Sequence, residues 1–380
     1  MRILMVSAHG NPSVGGAEKH VAELSEHLAH RGHALSFLFA FPGPGPLPDA
    51  PTSILHRTDW RDDEYRRLRN RVDDFVSVPG ARLTEVVRRY RPDVVHTHNL
   101  PGIGTGIWEV CRRERSSVVH TIHDYYLLCP RVTLMRPDGE PCRPHPLLCG
   151  LRARQLRRWA GSVAQVVGVS RFVLERHAGI FPDAELHVIR HPLRTEVRQP
   201  VVPPREKLGS IGYIGSLDRI KGVHLLLEAA PALAALGCEL RVAGRGRMER
   251  EVGEAAARGA VRYEGSLDGE RKTAFLASCD LGVVPSLWDE PGGPTYTMIE
   301  WLSAGRPVLV SRRGGLAEVI DSYPGAIPVD PTVAGIVEAV QRLSDPHRWH
   351  DAVNSVRFLD TDGALDRWVD SYERIYRQLG

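Results

Sequence analysis

Long hydrophobic runs are missing from this 380-residue chain. No apolar stretch approaches the roughly 18 residues needed to cross a bilayer, so no transmembrane segment is expected. The opening MRILMVSAHG has only a brief apolar run before Ser7 and His9. That falls short of the about 7–15 apolar residues of a secretory signal, and a cytoplasmic protein is expected. Cysteine is sparse: six are spread through the chain, which excludes the disulfide framework of a small secreted domain. An excess of one charge is missing too. Lys+Arg number 49 against 46 Asp+Glu, a net +3, too small a surplus to make nucleic acid the expected partner. The 36 glycines and 28 prolines follow no G-X-Y or proline period, which excludes a collagen-like chain. Hydrophobic residues at 42% and charged residues at 25% exclude a wholly disordered one. At ~150 residues per domain, the length calls for two cores.

What is present is a rhythm of short apolar runs alternating with helical stretches. ILMVSA at 3–8 precedes a segment with Val21, Leu24 and Leu28 at helical spacing, and ALSFLFA at 34–40 follows. Further runs begin at Pro92, Ser117, Ala164 and Leu186. Their near-continuous apolar character is that of parallel strands buried on both faces. The proline-bearing stretch Pro192–Pro204 interrupts the rhythm and predicts a linker at 197–204. The pattern restarts at Gly209 and continues through 239–243, 261–264, 280–285, 306–311 and 326–329, with a helix predicted over 222–236. The expected architecture is α/β: two Rossmann-like, doubly wound parallel-sheet domains, 1–196 and 205–363, facing across a cleft. An amphipathic helix over 364–380 could dock on either domain by periodicity alone. Ligands of open α/β sheets bind at the carboxyl ends of the strands.

Each half supplies a Gly-rich turn between strand and helix. Gly10–Ala17, with Gly15 and Gly16, precedes a helix carrying Glu18 and Lys19; Gly215–Gly222 contains Ser216 and offers Arg219 and Lys221. Helix-opening amides attract anions, and two cations beside such a turn suit a diphosphate. Turn chemistry alone also explains glycines at these places. Gly244 opens a similar turn, Gly244–Met248. The fullest segment is Ser286–Val308: an acidic turn with Gly292 and Gly293, then Thr295, Tyr296 and Thr297 opening a short helix that carries Glu300. Its amides are a second phosphate donor set, and Glu300 is placed to accept from vicinal hydroxyls such as those of a ribose.

Cys129, Cys142, His145 and Cys149 fall within one excursion at 129–149. Two readings stand: a structural zinc site, against which the long Cys129–Cys142 gap counts, or reduced, partly buried thiols. The following run, Leu151–Arg158, is rich in arginine. It suits either a peripheral contact with an anionic membrane or a solvated, internally paired helix.

At this point the chain resembles the retaining GT-B glycosyltransferases of glycosyltransferase family 4. The residues that carry the resemblance are Gly15–Glu18, Val95–His98, Thr121–Asp124, Val169–Ser170, Gly215–Gly222, and Glu300 with Ala304–Val308, in the family's order and over nearly the whole chain. The resemblance implies metal-independent transfer of a sugar, with retention, from a nucleotide-sugar to a hydroxyl acceptor that is a small molecule, a saccharide or lipid-linked. No cofactor is required, and UDP-sugars are the commonest donors. It also implies roles. Lys221 matches the diphosphate-binding lysine, Glu300 the ribose-binding carboxylate, and Thr295, Tyr296 and Thr297 the loop whose amides meet the diphosphate. His123 matches the first domain's histidine near the sugar, and Gly15 and Gly16 the loop over the donor. The terminal helix is expected to cross back to the first domain.

Two departures stand out. Ser216 occupies a position usually held by arginine, so either Arg219 supplies that charge or the phosphate contact is thinner. Counting back from Glu300, the slot of the family's first glutamate is Gly292. The nearest acid is Glu290, which a turn with positive-φ glycines at Pro291–Pro294 is expected to bring to the sugar. An epimerase or hydrolase of the same fold shares the nucleotide pocket without an acceptor, and a non-catalytic nucleotide-binding scaffold draws on these two departures. A Rossmann dehydrogenase is disfavoured, since no G-x-G-x-x-G follows either opening strand.

Overall fold

The computed structural model describes residues 1–12, 15–42, 48–56, 79–136, 138–143, 147–192, 205–356 and 363–379; the predicted linker 197–204 and His145 lie outside them. The chain divides into two compact units. One comprises Met1–Leu134, Pro141–Arg190 and Asp366–Gly380, the other Met135–Glu140 and His191–Leu365.

The first unit holds a seven-stranded sheet. Its strands are β1 (Arg2–His9), β2 (Ala34–Phe41), β3 (Thr52–Ile54), β4 (Val94–Thr97), β5 (Ser117–Ile122), β6 (Gln165–Gly168) and β7 (Glu185–Val188). All pair in parallel, in the order β3-β2-β1-β4-β5-β6-β7. The second unit holds β8 (Ser210–Ile214), β9 (Glu239–Ala243), β10 (Arg262–Tyr263), β11 (Leu281–Val284), β12 (Val308–Ser311) and β13 (Ala326–Val329). These are again all parallel, in the order β10-β9-β8-β11-β12-β13. In each sheet the winding reverses beside the first strand, between β1 and β4 and between β8 and β11. In doubly wound sheets, this reversal is where ligands bind.

Apolar continuity explains the central strands. Ile3 to Val6 are fully buried, as are Ile211, Leu281 and Val283. Glycines within the second sheet make room for a ring: a Cβ on Gly212 or Gly282 would stand 2.4 Å from Trp301, which is fully buried over these strands. The alternating pattern did not announce β3, a half-buried edge strand of three residues. The helix Val223–Ala235 lies where a helix was expected, and Ala364–Leu379 forms the terminal helix. That helix belongs to the first unit. Tyr372 and Tyr376 are buried in it, and the two hydroxyls stand 3.1 Å from His20 Nε2 and 2.7 Å from His96 Nδ1. Arg31 pairs with Asp366, Asp370 and Glu373 on the same helix. Among the described residues, no helix is long and apolar enough to cross a membrane.

The first unit has an unusually polar interior. Burial pushes His96 and His120 down to about 3 and His177 to about 4, and holds His98 well below the ordinary value. In the second unit, burial takes His191 to about 4. All five are neutral near pH 7, whereas in the unfolded chain each takes up a proton near 6.5. The unfolded state therefore binds more protons below that pH, and the stability they contribute is lost as pH falls. Asp124 acts oppositely: burial pushes it up to about 7, so its contribution is lost as pH rises from about 4 to 7. Five groups outweigh one. Urea unfolding is expected to show a clearly lower midpoint at pH 5 than at pH 7.5; equal midpoints would refute the neutral burial of these histidines.

Candidate functional site

In the second unit, the switch point is built from loops leaving β8, β9 and β11. The loop after β8 carries Gly215, Ser216, Arg219, Lys221 and Gly222. Its course is fixed by backbone bonds: Leu217 N–H donates to Arg245 O at 2.8 Å, and the amides of Leu287 and Trp288 donate to Ile220 O at 2.9 and 3.0 Å. There is no space for side chains where these loops touch. Gly222 has φ +77, and a Cβ there would lie 2.0 Å from the Pro285 carbonyl oxygen. A Cβ on Gly244 would lie 1.8 Å from the Gly215 carbonyl oxygen. The glycines the sequence singled out are thus contact points between loops.

This bracing delivers Lys221 to Glu290. Lys221 Nζ donates to Glu290 Oε1 at 2.7 Å and lies 4.5 Å from the centre of the Trp288 ring. Ser286 Oγ donates to the same carboxylate oxygen at 2.8 Å. Glu290 is 6% exposed and Lys221 27%, so the pair is desolvated on the acid's side and open on the lysine's. Arg219 and Ser216 are exposed on the loop, and Arg247 Nε lies 3.9 Å from Asp218 Oδ1. The turn following Glu290 differs from expectation. Neither Gly292 nor Gly293 has positive φ; Gly314, φ +55, opens the neighbouring helix Gly314–Val319. Gly293 is needed for close approach instead, since a Cβ there would lie 1.9 Å from Gly315 O.

Thr295 caps the helix Tyr296–Ser303, its hydroxyl accepting from Met298 N–H at 3.3 Å. Its amides thereby sit at a positive dipole end. Tyr296 packs on the buried His191 ring, 4.5 Å between centroids; Thr297 follows in the first turn. Glu300 forms an ion pair with Lys272 from the helix Gly269–Ser278. Sequence reading missed Lys272, and a lysine in an exposed-looking helix gives no signal of its own.

In the first unit, the loops leaving β1, β4 and β5 meet. Gly15 is the extended N-cap of the helix Gly16–His30, and Glu18 in its first turn is buried. Asn99 Nδ2 donates to Glu18 Oε1 at 3.5 Å, and His98 Nδ1 stands 3.0 Å from His123 Nε2. Asp124 accepts from Tyr126 N–H at 2.8 Å. Among the described residues, the one group spaced to hold a metal is His20, His98 and His123, with ligand atoms within 4.8 Å of one another. His98 Nδ1 faces His123 Nε2, and His20 Nε2 faces the Tyr372 hydroxyl. Sequence reading isolated His123 and missed the convergence with His20 and His98, although "VHTHN" and "GGAEKH" hold the signal. Cys129, Cys142 and Cys149 are free; among the described residues they do not form a ligating group. The Cys149 thiol is pushed up by burial and then by Cys129 and Cys142.

Comparison with known proteins matches both halves. The profile described as Glycosyltransferase Family 4 covers residues 14–197, and Glycosyl transferases group 1 covers 209–345. Glycogen synthase of Mycobacterium tuberculosis is 28% identical, over 91% of this chain and 86% of that protein. The 2-deoxystreptamine glucosyltransferase of Streptomyces kanamyceticus is 26% identical, over 73% and 77%. Among solved structures, sucrose-phosphate synthase from Thermosynechococcus elongatus superposes with a TM-score of 0.74 at 20% identity, covering 100% of this chain and 99% of that one. HepE of Anabaena in complex with UDP gives 0.70 at 15%, covering 100% and 99%. At these identities, the solved structures speak to the fold alone. With its two doubly wound parallel sheets and both halves matched, the chain belongs to the GT-B glycosyltransferases of family 4.

Proposed function

We propose that this protein transfers a sugar from a nucleotide-sugar, with UDP as the favoured nucleotide, to a hydroxyl acceptor with retention at the anomeric carbon and without a metal. The observation that carries the reading is Lys221, held by Glu290 at 2.7 Å in a loop braced on both sides at the β8/β11 switch point. A cation held in place in the same unit as a set of helix-opening amides suits a leaving diphosphate. The names of the relatives are those of sugar-transferring enzymes, and HepE is described in complex with UDP.

In this reading, Lys221 exchanges Glu290 for the donor's phosphates, with Arg219 and the amides of Tyr296 and Thr297 completing the anion's shell. Glu290, released, accepts from sugar hydroxyls. Glu300, oriented by Lys272, accepts from the ribose. The acceptor oxygen bonds to the anomeric carbon on the face from which the diphosphate oxygen departs. The bonding pair passes to that oxygen, which takes the acceptor's proton, so no separate base is needed. Stabilising the leaving group is then the main contribution to rate. His123 positions the donor sugar or acceptor.

Lys221→Ala is expected to lower transfer about a hundredfold or more; unchanged turnover would remove Lys221 from the mechanism. Calorimetry with UDP, GDP, ADP and dTDP is expected to find UDP tightest. Failure to bind any of them supports a non-catalytic scaffold, and release of free sugar or an epimer without acceptor supports a hydrolase or epimerase. Glu300→Gln should weaken UDP about tenfold, as loss of a charged hydrogen-bond acceptor does, while leaving inorganic pyrophosphate unaffected. Equal weakening of both would place Glu300 at the phosphates. Gly222→Ala, strained at positive φ and pressed on Pro285, is expected to lower both UDP affinity and the thermal midpoint; wild-type values in each would refute the bracing.

A further inference from the structure

The helix Leu147–Leu156 has a buried face and an exposed one. Its inner face is fixed: Arg152 and Ala153 are buried and Leu156 is fully so, and Arg152 Nη1 donates to the Tyr126 carbonyl at 2.7 Å. Its outer face opens with Leu147, Leu148 and Leu151, exposed by 82%, 69% and 50%. These are three of the four large apolar side chains that stand most exposed among the described residues. Leu147, Leu151 and Arg154 follow one another at four- and three-residue steps, so they share a stripe, and exposed Arg158 follows in the 3-10 turn Arg157–Ser162. Exposed Arg157 adjoins it, and Arg143 stands exposed just ahead of the helix. Arg158 lies 4.8 Å over the Trp159 ring.

The charge here is one-sided. From Pro141 to Leu174 the chain has six arginines and no aspartate or glutamate. Among the described residues, no ion pair joins Arg143, Arg154, Arg157 or Arg158 to an acid, whereas Arg112 and Arg113 in the helix Gly106–Arg113 are both paired with Glu109. Adjacent exposed leucines beside arginines that lack an acidic partner match a surface that is apolar just below a layer of negative charge. We propose that this face is a docking surface for an anionic lipid bilayer, with Leu147, Leu148 and Leu151 entering the headgroup boundary and the arginines meeting lipid phosphates. Because Arg152 ties the helix to the carbonyl of Tyr126, two residues after Asp124, docking holds the loop that follows β5 near the bilayer. The proposal stands independently of the nucleotide-sugar reading.

The test is sedimentation of the full chain with vesicles of phosphatidylcholine alone or mixed with phosphatidylglycerol. Binding to the anionic vesicles is expected to be at least about tenfold tighter at low salt and to weaken in high salt. Leu147→Ser/Leu148→Ser/Leu151→Ser should reduce it about tenfold or more. Arg154→Glu/Arg157→Glu/Arg158→Glu should abolish the preference for phosphatidylglycerol. Both variants alter exposed positions and should keep the wild-type thermal midpoint and UDP affinity. No sedimentation of the wild type with anionic vesicles overturns the proposal, as does wild-type binding by the variants. A change in the protein's oligomeric state on leucine substitution, with vesicle binding unaltered, assigns the patch to a second copy of the chain and overturns it equally.

Discussion

At the carboxyl ends of β8, β9 and β11 the backbone approaches itself too closely to admit a Cβ at Gly222 or Gly244. The rest of the candidate site depends on that approach. It carries the hydrogen bonds from the 285–288 loop to Ile220, and these fix the loop whose next residue is Lys221. With the backbone held, one buried carboxylate suffices to orient the lysine's long, flexible stem. Glu290 in turn is held by Ser286. The polar groups of the site are thus preorganised from the main chain outward, which is the arrangement electrostatic stabilisation of a leaving group requires.

The first unit solves a different problem. Polar rings buried without partners are costly, and here they are paired in series: His96 with Tyr376 and Thr121, Thr97 with His120 and Trp108, His98 with His123. His98 Nε2 has no hydrogen-bond partner among the described residues. The series runs from the terminal helix to the loops at the β1/β4 switch point. A neutral, hydrogen-bonded interior of this kind fixes orientation without fixing charge.

Much of this was legible in the residues. The long apolar runs announced the central strands because parallel strands buried on both faces leave no alternation to misread. Lys221 and Glu300 could be picked out from the turn and the short helix that carry them, and His123 from the family resemblance. What stayed hidden depended on tertiary pairing. The link between Glu290 and Lys221 spans residues far apart in sequence, and Lys272 gains meaning only opposite Glu300. β3 is too short and half-exposed to make a pattern. The positive φ expected at 292–293 is absent, because Gly293 is required by its close approach to the Gly315 carbonyl rather than by a left-handed turn.

The terminal helix carries one more consequence. The second unit is essentially one continuous stretch, His191–Leu365, whereas the first draws on residues from both sides of it and closes with Asp366–Gly380. During synthesis, the second unit therefore has its whole sequence before the first does. Until the last residues emerge, His20 and His96 lack their tyrosine partners and Arg31 lacks its three carboxylates. The first unit therefore depends on residues that lie on both sides of the second in the chain.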